Sequence, residues 1–130
     1  MTATESIVQL LYNLVKGSSL AEAVTGGVYK AKRPKASRQE DICLSVRANQ
    51  FGQRQEAIAY VNIYVQDVER SGQAERATAR HKELEALAVA LLERGYGDGY
   101  RYEMDSMTVE ETETDENVIS IRILFQLINE

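Results

Sequence analysis

The spacing of apolar residues predicts a helix near the start of the chain. In "IVQLLYNLV" apolar side chains recur three and four residues apart, which is typical of one face of a helix, over residues 4–16. Thr2 and Glu5 have the spacing of a capping box in front of it. A second pair of the same kind, Ser19 and Glu22, predicts a short helical turn that the following glycines end.

A longer apolar pattern predicts a second main helix over about 73–94, ended by "GYGDG". Leu84, Leu87 and Leu91 are expected in the core, whereas Leu92 lies toward the other side and fits either core or interface. Because "LEALAVALL" is apolar nearly all round, we expect part of this helix to be covered by another subunit. The residues predicted on its inner face are Ala77, His81, Leu84, Ala88 and Leu91.

Elsewhere the pattern alternates with the period of strands. "GVYKA" predicts a short strand, "FGQRQ" a turn, and "ERSGQ" a break after the third strand. The last strand, "VISIRILFQLI", is apolar on much of both faces, which predicts a central position in the sheet. The four main strands are expected near 42–49, 54–66, 99–109 and 117–128.

The predicted order of elements is α-β-β-β-α-β-β. Strands in hairpin order with interposed helices indicate an α+β fold, in which two main helices pack on one face of a mostly antiparallel sheet of four to five strands. The second face of strand 54–66 carries Ile58, Tyr60 and Tyr64, so this face too is expected to be covered between subunits.

Composition narrows the class of protein. With 130 residues the chain is expected to form one domain, 1–130, and 44% hydrophobic with 27% charged residues is ordinary for a globular protein. Cys43 is the only cysteine, so no disulfide within the chain is expected. The amino-terminal segment lacks a basic region before its apolar stretch, and no apolar run approaches the length of a membrane span. These features predict a cytosolic protein.

The sequence offers little for catalysis. One cysteine and one histidine cannot form a zinc site of the usual four ligands. His81 lies near no recognisable nucleophile motif, so we interpret it as a packed or interface histidine. "GYGDGY" is rich in glycine but follows a helix, whereas phosphate-binding loops follow a strand. We therefore expect no catalytic, metal-binding or cofactor-binding residues and no enzyme activity.

Positive charge is concentrated in one segment of an acidic chain, whose formal net charge is −5. Three interpretations of this basic loop remain open: a solvated turn, a nonspecific contact with nucleic acid, or docking onto an acidic protein surface. Lys32, Arg33 and Lys35 are expected to lie outside the sheet and to contribute little to folding. The cations, which surround Pro34, are Lys30, Lys32, Arg33, Lys35 and Arg38.

Negative charge is concentrated in a second segment. Seven acids lie between 103 and 117 with no cation among them, and their spacing does not match a calcium-binding loop. They indicate either a solvated hairpin tip or an electrostatic partner surface. Separated patches of opposite sign suit the head-to-tail contacts of a ring. The acids assigned to this surface are Glu110, Glu111, Glu113, Asp115 and Glu116.

The order of elements along the chain can be read as a whole. A leading helix precedes "GVY", a proline-bearing loop, the strand "ICLSV" and the long strand "AIAYVNIYVQD". The helix "ATARHKELEALAVALLER" and two closing strands follow. Over roughly 5–128, this layout resembles the small tail-completion, or tail-terminator, proteins of long-tailed bacteriophages and related prophages.

The resemblance implies a structural subunit without catalytic residues. Such subunits form a ring, commonly a hexamer, that stops polymerisation of the tail tube and faces the head connector, and DNA passes through the lumen. In this chain the loop from Lys30 to Arg38 matches the segment expected to reach a neighbour, the tube or the lumen. The alternative is a small nucleic-acid-associated or regulatory module of a mobile element.

Overall fold

The computed structural model describes residues 2–52 and 54–128. The described chain forms three helices and eight strands. The helices are α1 (Thr4–Lys16), α2 (Ser19–Ala23) and α3 (Thr78–Leu92). The strands are β1 (Val28–Lys30), β2 (Ile42–Gln50), β3 (Gln55–Gln66), β4 (Val68–Arg70), β5 (Gln73–Glu75), β6 (Arg94–Gly97), β7 (Tyr100–Glu111) and β8 (Glu116–Leu127).

Six strands form one curled sheet in the order β1-β2-β3-β8-β7-β6, and β4 with β5 forms a separate hairpin. Neighbours in the large sheet are antiparallel except β1, which runs parallel to β2. The α+β class and the mostly antiparallel sheet are thereby confirmed. The predicted count of four to five strands is wrong, because β6, which was not predicted, adds a sixth strand at one edge, whereas β1 at the other edge is the short strand expected from "GVYKA". β8 lies between β3 and β7, as its apolar faces predict.

The helices cover one face of the sheet. Every second residue of β3 and β8 points to this face and is almost wholly buried, and Ile7, Leu11 and Val15 of α1 meet them there. α3 contributes Leu84, Ala88 and Leu92 to the same core. We call this side the helix face. None of the three described helices lies on the opposite side, which carries Ile58, Tyr60 and Leu124, and we call it the open face.

The long helix is shorter than predicted at both ends. Ser71 and Gly72 have positive φ angles of 52° and 77°, so they form a tight turn and residues 73–75 pair as β5 instead of starting a helix. At the other end, "GYGDG" is not only a stop, because Arg94–Gly97 pairs with β7.

The buried stripe of α3 also differs from the prediction at Leu87 and Leu91, which were expected in the core. It follows His81, Leu84, Ala88 and Leu92, so Leu92 belongs to the core, whereas Leu87 and Leu91 are only partly buried at its margin. Steps of four residues rotate the stripe gradually around a helix of 3.6 residues per turn, which carries Leu91 off its centre.

Neither predicted helix start has the expected capping. α1 begins after Ala3 without a side-chain cap, because the backbone of Thr2 exchanges hydrogen bonds with Gln55 of β3, at 2.9 and 2.7 Å, instead of forming a capping box with Glu5. α2 begins where expected, but Ser18 rather than Ser19 caps it by accepting a hydrogen bond from the Ala21 amide. The predicted turn over 51–55 includes position 53, outside the described residues. No described helix has the length and apolarity to cross a membrane.

Candidate interaction surface

The basic loop folds back over one end of the open face. Residues 31–38 and the tip of the β7–β8 hairpin flank a cleft of about 530 Å³, with Cys43 of β2 and Tyr64 of β3 at its floor. The loop therefore lies outside the sheet, as its proline predicts, but it packs on the sheet rather than extending into solvent.

Arg33 fastens this loop to the sheet. Its Nε donates to Asp41 Oδ2 at 2.8 Å, and its Nη1 donates to both carboxylate oxygens of Glu116 at 3.0 Å. The guanidinium carbon also lies 4.1 Å from the centre of the Tyr64 ring. Burial acts to lower the pKa of Arg33, but hydrogen bonds to Glu116 and Asp41 outweigh it and the pKa is raised. Only 14% of the Arg33 side chain is exposed, so Arg33 is a packed, ion-paired residue, in contrast to a solvated loop cation.

Asp41 is the centre to which the loop is tied. It is fully buried and also accepts hydrogen bonds from the Ser37 hydroxyl and the Gly27 amide. Gly26 must remain a glycine beside it, because an added Cβ would lie 2.0 Å from Asp41 Oδ1. Ala31 and Ala36 hold positive φ angles of 74° and 61°, a conformation that disfavours side chains. The bonds of Asp41 and Arg33 offset this strain.

A second arginine secures the end of the loop to α3. Arg80 donates from Nε and Nη2 to the two carboxylate oxygens of Glu40, both at 2.7 Å. These hydrogen bonds raise the pKa of Arg80. Glu40 further accepts from the Thr25 amide at 3.2 Å. Adjacent acids, Glu40 and Asp41, thus bind separate arginines and fix the entry into β2 from both sides.

The remaining cations of the loop differ in the contacts that their side chains make. Lys30 turns toward α1, where it donates to the Gln9 side chain and lies 5.0 Å from the centre of the Tyr12 ring. Arg38 donates to the backbone carbonyl of Thr114 at 2.7 Å while staying exposed. Lys32 and Lys35 are exposed at the rim of the cleft. Among the described residues, no hydrogen bond or ion pair holds the side chains of Lys32 and Lys35, so these two lysines carry the most accessible charge of the loop.

The five acids of the predicted acidic surface also differ in their burial and contacts. Glu116 is buried beneath Arg33, so it is an internal partner of the loop rather than part of an outer surface. The other four acids of the set are exposed: Glu110, Glu111, Glu113 and Asp115. Because Arg33 and Arg38 both reach this hairpin, the basic and acidic segments lie side by side in one subunit. They are not the separated patches that the sequence suggested.

Sequence reasoning missed Asp41, Glu40, Arg80 and Tyr64, which hold the loop in place. A signal for two of them was present. The basic segment ends in "ED" directly before an apolar strand, and acids next to a cationic loop can pair with it. Nothing local in the sequence links Arg80 to Glu40, because 40 residues separate them.

His81 and Cys43 are both buried, and the burial of His81 agrees with its interpretation as a packed histidine. Burial lowers the pKa of His81, and neither of its ring nitrogens has a hydrogen-bond partner among the described residues. Burial raises the pKa of the Cys43 thiol. Within residues 2–52 and 54–128, no group of three or more His, Cys, Asp and Glu side chains is arranged to hold a metal ion.

A second cleft, of about 590 Å³, lies on the open face at the other end of the sheet. Arg94 and Tyr96 of β6 line its outer wall, and Arg101, Glu103 and Leu124 lie beneath. Tyr96 is 87% exposed, the largest exposure among the described large apolar side chains. This corner is therefore uncovered in the single chain.

Comparison with known proteins assigns no family to these surfaces. No protein-family model matches the chain. A search among curated proteins likewise gives no significant match. Function must therefore be inferred from the loop, the open face and the sheet edges themselves.

Proposed function

We propose that the protein is a structural assembly subunit of the tail-terminator type. It forms a homo-oligomeric ring, of six subunits by analogy with the family it resembles, that caps a phage tail tube and joins it to the head connector. It has no catalytic role. Assembly takes place in the bacterial cytoplasm, and the ring then remains in the virion tail.

The open face is the observation that carries this proposal. In β3 the residues on that face are only half-buried, and they include Ile58, Tyr60 and Tyr64, while Leu124 of β8 lies next to Ile58. Half-exposed apolar side chains on a sheet face without helices are typical of surfaces that another chain covers. The loop over 31–38 covers only the Tyr64 end of the face.

The loop supplies a charged contact next to this face. Arg33 holds the backbone, and Lys32 and Lys35 extend from it toward solvent. Charges at the margin of an interface mainly set the rate of encounter and the choice of partner. We assign these two lysines to docking on the tail tube or the connector, and the exposed acids of the β7–β8 hairpin to a neighbouring partner surface.

A nucleic-acid module is the second candidate, since Lys32, Lys35 and Arg38 surround one cleft. Such a module would bind phosphates nonspecifically, with an affinity that falls steeply with salt. Filter binding of a DNA duplex by the isolated chain at low and moderate salt distinguishes the two. Tight binding by a monomer favours the module, whereas a ring that holds DNA only weakly favours the terminator.

The proposal is tested by native mass spectrometry and negative-stain electron microscopy of the intact chain over a range of concentrations. We expect one discrete oligomer that appears as a closed ring with a lumen, and that binds to the ends of tail tubes from the same phage or prophage. A chain that remains monomeric at every concentration, with or without tubes, contradicts it.

A further inference from the structure

The large sheet ends at each edge in a strand that has no neighbour on one side within the part of the chain that the structure describes. β1 forms one edge and β6 the other. Each is short, with three and four residues, and carries a lysine or glycines, features that discourage indiscriminate pairing of exposed edges. Water can satisfy the outward backbone groups of these edges in the single chain, and a strand of matched direction and register can take its place.

In β6, the backbone N–H and C=O groups that face away from β7 belong to Arg94 and Tyr96. In the β6–β7 ladder, the Met104 amide donates to the carbonyl of Glu93 at 3.0 Å, and Glu93 is directly followed by the register pair Arg94 and Glu103. Because hydrogen-bonded pairs alternate along an antiparallel ladder, Gly95 and Gly97 point their backbone groups toward β7. Arg94 and Tyr96 therefore point theirs outward.

On β1 the outward backbone groups belong to Val28 and Lys30, of which the Lys30 carbonyl already accepts a hydrogen bond from the Lys32 amide at 3.0 Å. The Ile42 amide donates to the carbonyl of Gly27 at 2.9 Å, and the Ala31 amide donates to the carbonyl of Leu44 at 2.8 Å. Residues 27, 29 and 31 thus point their backbone groups toward β2, and Val28 and Lys30 point theirs away from it.

The two edges also match in direction. Four reversals separate β2 from β6 across the sheet, so β6 runs in the same direction as β2 and as its parallel neighbour β1. If copies of the subunit are related by rotation about an axis parallel to these strands, the strands run in the same direction in every copy. β6 of one subunit would then lie parallel to β1 of the next.

Side-chain orientation favours the same arrangement. Tyr96 lies on the open face, as does Tyr29 of β1, which pairs with Cys43. In a parallel pair, a residue whose backbone N–H and C=O groups face the neighbouring strand lies beside a residue whose own backbone groups face away from it. The side chains of these two residues lie on the same face of the sheet. Tyr96 can therefore pair with Tyr29 of another copy while the open faces continue. Antiparallel pairing would place the helices of the two subunits on opposite faces.

We infer that a second copy of this chain occupies the β6 edge, by parallel pairing of β6 with β1 of the next subunit. The Tyr96 amide donates to the carbonyl of Val28 in that copy, whose Lys30 amide donates to the carbonyl of Tyr96. The two tyrosines meet on the open face, which explains the 87% exposure of Tyr96 in the single chain. This inference rests on the proposed ring and specifies its interface, which is head-to-tail.

Proline at the outward positions tests the pairing. Tyr96→Pro and Lys30→Pro each remove an amide hydrogen that points away from the sheet, so the chain's own ladders are retained. Tyr96→Ala and Lys30→Ala are the matched controls, because they lose the side chain and keep the amide. In native mass spectrometry we expect each proline variant to have the mass of one chain, and both alanine variants to assemble.

Mixing the two proline variants gives the sharpest result. Each retains the edge that the other has lost, so an equimolar mixture should form a pair of one chain of each and nothing larger. If both proline variants still form the wild-type ring, the inference is wrong while the proposed function stands. If Lys30→Pro alone forms pairs through β6, the contact is between two β6 edges and the inference is wrong. A wild type that never assembles overturns both proposals.

A crosslink keeps the test decisive if a proline variant fails to fold. In a Cys43→Ala background, Tyr29→Cys combined with Tyr96→Cys should form disulfides between subunits on oxidation, because neighbouring strands bring such residues within disulfide range. We expect a ladder of linked chains up to the size of the ring on a non-reducing gel, and none with either cysteine alone. A double variant that gives no ladder while assembled contradicts the pairing.

Discussion

The two faces of the sheet are made by the same strands, yet they differ in burial. On the helix face, residues such as Val61 and Ile121 are wholly buried, and their neighbours are aliphatic. On the open face, Tyr60 stands opposite Arg122 and Asn62 opposite Ser120, and all are only half-buried. One face has the composition of a core, and the other mixes apolar and polar side chains as interfaces do.

The difference in burial indicates separate roles for the two faces, one in folding and one in assembly. The helix face supplies the stability of the single subunit, because burial of apolar area is the main stabilising contribution. The open face contributes less, except where Arg33 ties the loop over Tyr64. Substitutions on the helix face should therefore destabilise the subunit. Substitutions on the open face should change assembly, and the ionic contact of Arg33 should be the exception.

The largest effect is expected on the helix face. Leu84→Ala removes a side chain with 0% exposure from the core and should lower the free energy of unfolding by about 2–5 kcal/mol. Leu92→Ala, also with 0% exposure, should behave alike, whereas Leu87→Ala at the margin should cost less. Urea unfolding of the three variants measures the order. Equal losses at 87 and 84 would contradict the described stripe.

Arg33→Met should have the next largest effect, although it lies on the open side. It leaves the buried carboxylates of Asp41 and Glu116 without their shared cation, which should cost about 2–3 kcal/mol, less than for a wholly buried pair. Lys32→Met, one residue away and exposed, is the control and should change stability by no more than about 0.5 kcal/mol. Thermal melts compare them. Equal stability of the two variants would show that the ionic contact does not hold the loop.

The pH dependence of stability should reveal His81 on the helix face. Its pKa is lowered by burial and by Arg76, against the opposing effects of Glu85 and Asp67. The unfolded chain therefore takes up a proton at a higher pH than the folded chain. Stability should be complete above the ordinary histidine pKa of about 6.5 and should decrease as the pH falls below it.

His81→Leu should remove that part of the decrease. Melting temperatures of wild type and variant at neutral and mildly acidic pH measure the difference between them. The melting temperature of wild type minus that of His81→Leu should decrease as the pH falls, because only the wild type loses the contribution of the neutral imidazole. A difference that is constant with pH would indicate that the imidazole does not titrate differently in the two states.

The smallest effect on folding is expected from Lys32→Glu combined with Lys35→Glu. Both side chains are exposed, so melting should stay within the small range of surface substitutions. Docking to tail tubes should weaken, most clearly at low ionic strength, where charges are least screened. Arg33 stays unchanged in this variant, because its substitution would disturb the loop itself. Sedimentation with tubes provides the measurement, and unaltered docking would identify the lysines as solvated.

Much of this arrangement could be predicted from the sequence, and the reasons for the rest are physical. Alternation in "AIAYVNIYVQD" defined both faces of β3, because side chains of a strand point to opposite sides. The pairing of Arg33 with Glu116 spans 83 positions and depends on how the sheet brings two hairpins together, which no local pattern encodes. Similarly, β6 is too short for periodicity to separate it from a turn, whereas the short β1 was expected from "GVYKA".

Hydrogen–deuterium exchange tests the division between the two sides most directly. The exchange of individual amides is compared between the dilute single chain and the assembled chain. We predict that the outward amides of Val28, Lys30 and Tyr96 exchange rapidly in the single chain and become protected on assembly, while amides of α1 and α3 change little. If the two edges stay unprotected in the assembly and the helices become protected instead, the helix side forms the interface and the account is wrong.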